Sequence, residues 1–344
     1  MRAGSPGAGS PGAGSLEAAV QAGLAGLGST SIAAGVHRLM AAYRSGEVPA
    51  EPVMAGRIDA AAYAAYRMPA TAAATAMALR QMRLSLAGWA PNSLVDVGAG
   101  TGGAAWAAVA ELPGLTSVTL LEQSAEAIKL GQAIFSTSTS SVLLDAAWLP
   151  WRLTGDGKPR PADMPAADLV TGAYVLGELM VAQQASLVDL AAASAPAVLL
   201  VEPGTPAGHR RILAARERLL AAGYLLAAPC PHQHRCPLDI DGDWCHFAAR
   251  LHRSALHRQV KAADLAYEDE KFSYIAMIRP DLAVPELPSG RVVRRPQQRK
   301  GLVTLDLCAG DGSSRRVLVS KSKGEAYREA RKAAWGDRWD PMAS

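Results

Sequence analysis

The stretch Ser93-Leu-Val-Asp-Val-Gly-Ala-Gly-Thr-Gly-Gly103 constrains the fold more than any other part of the chain. Leu94, Val95 and Val97 read as the end of a buried parallel strand. The glycines after them allow a tight turn and a close approach of backbone to ligand, and residues 104–112 read as a helix. Glu122 closes the next apolar run, Val118-Thr-Leu-Leu121, where a second parallel strand would offer a carboxylate to ribose hydroxyls. The arrangement calls for a ligand that carries adenosine.

Gly98, Gly100 and Gly102 are the candidate cofactor-binding glycines, but Gly98, Gly100 and Gly103 also fit the dinucleotide pattern G-x-G-x-x-G. Asp96 separates the two readings. Its carboxylate would repel the pyrophosphate of NAD, whereas the ammonium and sulfonium of S-adenosylmethionine would be attracted to it. S-adenosylmethionine is therefore favoured. The plainer alternative is a tight βα turn in a domain that takes no ligand there.

Downstream, predicted strands over 118–122, 141–145, 167–173 and 197–202 alternate with predicted helices over 124–135 and 209–222, which implies a parallel sheet. Ligand sites lie at the carboxyl ends of such strands. Asp145 is expected to meet the adenine amine, and Tyr174, Glu178 and Glu202 to point into the same crevice, Glu178 being equally well read as a helix N-terminal carboxylate. Residues 16–90 are Ala-rich and read as a helical N-terminal region with a break at Pro69, where Arg67 faces either solvent or the crevice. Residues 91–280 then form the ligand-binding domain, 281–290 a linker and 291–344 a basic appendage.

No apolar run approaches the roughly 18 residues of a membrane span. Residues 1–15 repeat Gly, Ser, Pro and Ala with Arg2 as the only charge, a composition read as a disordered tail on a cytoplasmic protein that is monomeric when free. Charge is uneven: residues 246–344 hold 19 Lys and Arg against 12 Asp and Glu, although the whole chain is only +4. This is the footprint of a polyanion binder or of a solvated face. It includes a predicted basic helix over 250–261, a hairpin pairing 303–308 with 316–320, and a helix over 324–334.

Three cysteines, Cys230, Cys236 and Cys245, lie close together in a Pro- and His-rich insertion over 229–247, and Cys308 lies in the predicted hairpin. Clustered thiols in a reducing compartment suit metal binding, but the spacing is not the C-x2-C knuckle of most structural zinc sites. Zinc with a histidine from His232, His234 or His246, and a merely buried Cys308, both stay open on these grounds.

Several blocks together resemble one family: Tyr66-Arg-Met-Pro-Ala-Thr71, Val201-Glu-Pro-Gly-Thr-Pro206, Ala228-Pro-Cys-Pro-His232, Cys236-Pro-Leu, Asp243-Trp-Cys-His-Phe247, Tyr267-Glu-Asp-Glu-Lys-Phe-Ser-Tyr274 and Ser322-Lys-Gly-Glu-Ala326. They are similar to the methyltransferase-like proteins of the small ribosomal subunit, known in mitochondria and with bacterial relatives. The resemblance covers about residues 57–337. It implies an α/β fold: a Rossmann-like class I methyltransferase sheet with a helical N-terminal region and a small basic β-hairpin and helix appendage. It further implies S-adenosylmethionine at Asp96, Gly98, Gly100 and Glu122, and a four-iron four-sulfur cluster on Cys230, Cys236, Cys245 and Cys308. The implied partners are small-subunit rRNA and proteins; in the basic C-terminal part, Arg294, Arg295, Arg299, Lys300, Arg315, Arg316, Lys321 and Lys323 are the expected RNA-contacting set, and a bacterial cytoplasm is the expected setting. Thr171-Gly-Ala-Tyr-Val175 departs from the Asn/Asp-Pro-Pro-Tyr of enzymes that methylate base amines. An assembly factor is thus the first reading and an active rRNA methyltransferase the alternative, followed by a zinc-binding methyltransferase of another substrate.

Overall fold

The computed structural model describes residues 15–45, 53–154, 158–160, 164–238, 242–252 and 267–340. In chain order the elements begin with helices α1 (Leu16–Gly23), α2 (Ser29–Ser45), α3 (Arg57–Tyr66) and α4 (Met68–Ser85). Then come β1 (Ser93–Val97), α5 (Gly103–Glu111), β2 (Ser117–Glu122), α6 (Ala125–Phe135), α7 (Ser141–Leu144) and β3 (Ala147–Pro150). The short β4 (Arg152–Leu153) and β5 (Pro159–Arg160) precede β6 (Leu169–Ala173), α8 (Val181–Ser194), β7 (Ala197–Pro203), α9 (Pro206–Ala221) and β8 (Leu225–Ala228). Strands β9 (Phe247–His252), β10 (Tyr267–Ile278), β11 (Gly290–Val292), β12 (Gln297–Arg299), β13 (Leu302–Ala309) and β14 (Ser314–Ser320) follow, then α10 (Glu325–Ala330) and β15 (Arg338–Trp339).

The main sheet runs β3-β2-β1-β6-β7-β10-β8, with β9 also pairing β10. Strands β3, β2, β1, β6 and β7 are parallel, and β10 lies antiparallel to β7 and β8. This is the methyltransferase-like Rossmann arrangement, with the strand order reversing beside β1. Alternation along β1 splits the core in two: Val95 and Val97 pack with α8 and α9, and Leu94 packs with the N-terminal helices. Small side chains make that helical cover possible. Ala74 and Ala78 of α4 are fully buried, and a Cβ on Gly103 would come within 2.9 Å of Met68 O, so α4 and α5 meet nearly backbone to backbone.

Two predicted elements are corrected. Residues 141–144 form a helical turn, and the strand that pairs with β2 starts at Ala147. A short apolar run carries no reliable period. What sets this register is Trp148, which lies over Gly131 and edge-on to Phe135 at 5.2 Å. The predicted basic helix over 250–261 begins instead as β9, where Phe247, Ala249 and Leu251 are buried and Arg250 pairs across to Asp269 at 2.7 Å. That is a period of two, and the rest of the predicted helix lies outside the described residues.

The appendage is a five-stranded sheet around Val292, Val303, Leu305, Leu307, Val319 and Trp339. Its helix α10 is shorter than predicted, spanning Glu325–Ala330. The segment 281–290 is no free tether, because Glu286 N donates to Ser85 O at 2.8 Å and Arg338 Nη1 to Leu84 O at 2.7 Å, holding the appendage to the end of α4.

Candidate functional site

A solvent-open crevice of about 600 Å³ lies at the carboxyl ends of β1, β2 and β6, lined among others by Tyr63, Gly98, Glu122, Trp151, Tyr174 and Glu178. Gly98 has φ +64, and a Cβ there would stand 2.4 Å from Val175 Cγ2, so both conformation and space demand glycine. Glu122 is 5 % exposed, its Oε2 accepting from Gly100 N at 2.8 Å and its Oε1 from Ser124 N at 2.7 Å. Burial pushes its carboxyl above the ordinary range, and these backbone donors partly offset the rise. Gln123 N–H is a third backbone donor to this carboxylate, which leaves Glu122 acceptor capacity for a ribose hydroxyl.

The other expected cofactor residues are placed differently. Asp96 is buried behind the loop, its Oδ1 accepting from Thr171 Oγ1 at 2.7 Å, and burial raises its carboxyl to about 7. Gly100, at φ +57, is covered by Tyr63, whose ring would stand 2.9 Å from a Cβ there. Gly102 serves packing, since a Cβ would meet the Phe135 ring at 2.5 Å. Asp145 is a correction: it is exposed and precedes β3, at the edge of the sheet opposite the crevice. The residues that follow the carboxyl end of β3, and do line the crevice, are Trp151 and Arg152. Glu202 is fully buried and engaged by Arg211 Nε at 2.6 Å and Leu176 N at 3.0 Å, an arrangement that ties β7 to α9.

At the crevice wall Tyr174 has φ +62, the one non-glycine with positive φ among the described residues. Its hydroxyl donates to Glu270 Oε1 at 2.9 Å, and Arg67 lies over its ring at 4.5 Å while pairing with Glu270 at 3.2 Å. Burial and Glu270 hold the phenol protonated, so it stays a donor. Arg67, for which solvent and crevice were both open, faces neither alone; it bridges the α3–α4 junction to β10. Tyr63 and this Arg67–Glu270 pairing were missed in the sequence, because their partners are more than 30 positions away.

A second cavity is lined by all four cysteines together with His232, Arg216 and Arg291. The cysteines reach it from the loop after β8, the approach to β9, and β13. Cys308 Sγ lies 3.3 Å from His232 Nε2, and all four are free thiols. Burial and the neighbouring sulfurs raise the Cys245 and Cys308 thiols, a cost that a bound cation would remove. No three His, Cys, Asp or Glu side chains among the described residues close on a single ion. The turn of the β13–β14 hairpin sits on the cysteine loop, where Gly312 (φ +84) would bring a Cβ to 3.1 Å from His234.

The basic residues divide into two groups. Arg294 is turned inward, pairing with Asp243 and donating to Trp244 O at 3.1 Å, so it braces the approach to Cys245. Arg295, Arg315 and Arg316 face Asp269, Asp311 and Asp306 at 3.7, 3.3 and 2.7 Å. Arg299, Lys300, Lys321 and Lys323 are exposed, and Lys321 N donates to Gly301 O at 2.8 Å, which gathers the four at one tip of the sheet. No helix among the described residues is long and apolar enough to cross a membrane.

The family model described as "Mitochondrial small ribosomal subunit Rsm22" matches residues 57–340. The human ribosome assembly protein METTL17, mitochondrial, is 28% identical over 294 residues, covering 80% of this chain and 61% of that protein. The Rsm22-cox11 tandem protein 2, mitochondrial, of Schizosaccharomyces pombe is 31% identical over 185 residues, covering 41% of this chain and 24% of its own length. The chain thus spans less than two thirds of these relatives. Among solved structures, the plantazolicin methyltransferase BpumL with SAH is 12% identical with TM-score 0.38, covering 77% of this chain and 95% of that one. The magnesium protoporphyrin IX methyltransferase of Synechocystis with bound SAM is 10% identical with TM-score 0.37, covering 70% and 91%. The expected bacterial cytoplasmic setting is overturned, since the curated relatives are all named as mitochondrial. The composition of the first 15 residues, poor in arginine, misled that reading.

Proposed function

The chain belongs to the mitochondrial small ribosomal subunit Rsm22 family, and we propose that it is an assembly factor of the small subunit that binds rather than methylates rRNA. It takes S-adenosylmethionine in the crevice, carries a structural four-iron four-sulfur cluster on Cys230, Cys236, Cys245 and Cys308, and meets rRNA phosphates through the tip formed by Arg299, Lys300, Lys321 and Lys323. The single observation that carries a binding role is Tyr174. Its ring is buried, with one face toward Arg67 at 4.5 Å, and its hydroxyl is committed to Glu270, so the aromatic residue that follows β6 is not presented to a target base.

The ligand assignments rest on the chemistry of the donor sets. Glu122 keeps acceptor capacity for ribose hydroxyls, and the crevice lies at the carboxyl ends of β1, β2 and β6, where sheets of this kind take their ligands. In the other cavity, thiols that surround a space without converging on one point suit a multi-iron cluster, whose ligands attach to different irons, better than one tetrahedral zinc. Such a group would supply a crosslink between the cysteine loop and β13, coupling the appendage to the main sheet. The chain's own residues position it: Arg294 braces the approach to Cys245, and His232 meets the Cys308 sulfur.

Incubation of the anaerobically purified protein with small subunits, crosslinking, and labelled S-adenosylmethionine tests the reading. Crosslinks to rRNA from the tip without transfer of label are expected. Label in rRNA would establish the enzyme instead.

A further inference from the structure

Two arginines line the four-cysteine cavity, and each is only 1% exposed. Arg216 comes from the middle of α9, and Arg291 from β11, where it lies opposite Cys308 in the register with β13. Each holds main chain of the cysteine loop: Arg216 Nη2 donates to His234 O at 2.6 Å, and Arg291 Nε to Pro229 O, the residue before Cys230, at 2.7 Å. Each also keeps one guanidinium nitrogen, Arg216 Nε and Arg291 Nη2, with no hydrogen-bond partner among the described residues.

Among the described residues neither arginine hydrogen-bonds a buried carboxylate. The hydrogen-bond acceptors of Arg291 among the described residues are Pro229 O, Gln81 Oε1 and Gly336 O, none of them a carboxylate, although its charge also reaches Asp337, the residue after Gly336. Arg216 pairs with Glu217, whose side chain is 63% exposed and so lies on the solvent side. Buried guanidinium groups require an anion nearby. Four thiolates carry four negative charges, of which a zinc ion or an oxidised four-iron four-sulfur core returns two. The remaining negative charge is opposite in sign to that of the two arginines that line the cavity.

We propose that Arg216 and Arg291 form a cationic wall that holds the cysteine loop and balances the net negative charge of a tetrathiolate metal centre. This inference rests on the reading that the four cysteines bind a metal. The two are positioning residues, acting on the centre through charge and through the backbone of its ligands. Arginine suits both tasks at once, because its fork can donate to a carbonyl and still face sulfur.

The test uses the full chain purified anaerobically as wild type, Arg216→Met, Arg291→Met, and the Arg216→Lys and Arg291→Lys variants. Iron, sulfide and zinc are counted per chain, release to a chelator is timed, folding is followed by circular dichroism, and for an iron–sulfur centre the midpoint potential is titrated. Each Met variant should release metal at least tenfold faster, with a lower midpoint potential, since an added electron loses a neighbouring cation. The Lys variants should recover most of the potential and part of the retention. Met variants with wild-type release and potential would overturn the proposal. So would Lys variants as defective as Met; if a Met variant fails to fold, a folded Lys variant whose release and potential depart from wild type by as much as was expected for Met overturns it. Wild type without metal on its thiols overturns the metal reading and this inference together, whereas loaded wild type beside unaffected variants overturns only this one.

Discussion

Replacing Asp96 by Asn should make the protein less stable in acid and more stable in mild alkali. Burial raises the Asp96 carboxyl from 3.8 to about 7 in the fold, even though the Thr171 hydroxyl and the Ala105 N–H both favour the anion. Between those two values the folded chain holds a proton that the unfolded chain has released, so this group's contribution to stability falls as pH rises through the window and is level above about 7. At 1.36 kcal/mol per pH unit the whole fall is about 4 kcal/mol, and about 3 kcal/mol of it lies between pH 5 and pH 8.5. Asn stays neutral throughout and can still accept from Thr171 Oγ1. Its amide nitrogen would take the place of Oδ2, which has no partner among the described residues, at a cost of about 1–3 kcal/mol. The amide cost shifts the variant's curve without tilting it, so the useful quantity is the change with pH in the difference between variant and wild type. Urea unfolding of both proteins at intervals from pH 5 to 8.5 measures it. Two parallel profiles, differing by a constant within about 1 kcal/mol, would refute the claim that Asp96 is substantially protonated at neutral pH.

Arg67→Ala should destabilise by about 3–5 kcal/mol, because it strands Glu270 in a site where both side chains are nearly buried, whereas Arg67→Ala with Glu270→Ala should cost much less than the sum of the single changes; a double-mutant cycle by urea unfolding tests this, and strict additivity would count against the pairing. Gly98→Ala should weaken S-adenosylmethionine binding at least tenfold in calorimetry, since φ +64 and the 2.4 Å approach to Val175 force the loop to move; unchanged affinity would place the ligand elsewhere. Neutralising Arg299, Lys300, Lys321 and Lys323 together should lower the salt dependence of rRNA binding, by a log–log slope of roughly 0.7 to 0.9 for each phosphate no longer neutralised. Neutralising Arg315 and Arg316, which already face Asp311 and Asp306, should change that slope much less.

The strand, glycine turn and helix that open the crevice were legible in the sequence, because their signal is local. The apolar run into Gly98, the left-handed glycine positions and the carboxylate of Glu122 at the end of β2 all follow from neighbouring residues, because strand, turn and helix obey short periods. Cys230, Cys236 and Cys245 could be singled out as a group from type and clustering, and the family resemblance added Cys308. What the tertiary structure alone decided depends on partners distant in the chain. Arg67 meets Glu270 across 203 positions and Arg291 meets Gln81 across 210, and no local period records such pairs. The start of β3 was set by Trp148 seating over Gly131, not by the apolar run before it. The basic residues make the same point, since their number can be counted in the sequence but only packing shows that Arg294 turns inward to Asp243 while Arg299, Lys300, Lys321 and Lys323 meet at one exposed tip. A side chain's charge belongs to its residue type, whereas its availability belongs to the fold, because carboxylates brought close by folding neutralise some cations and leave others free.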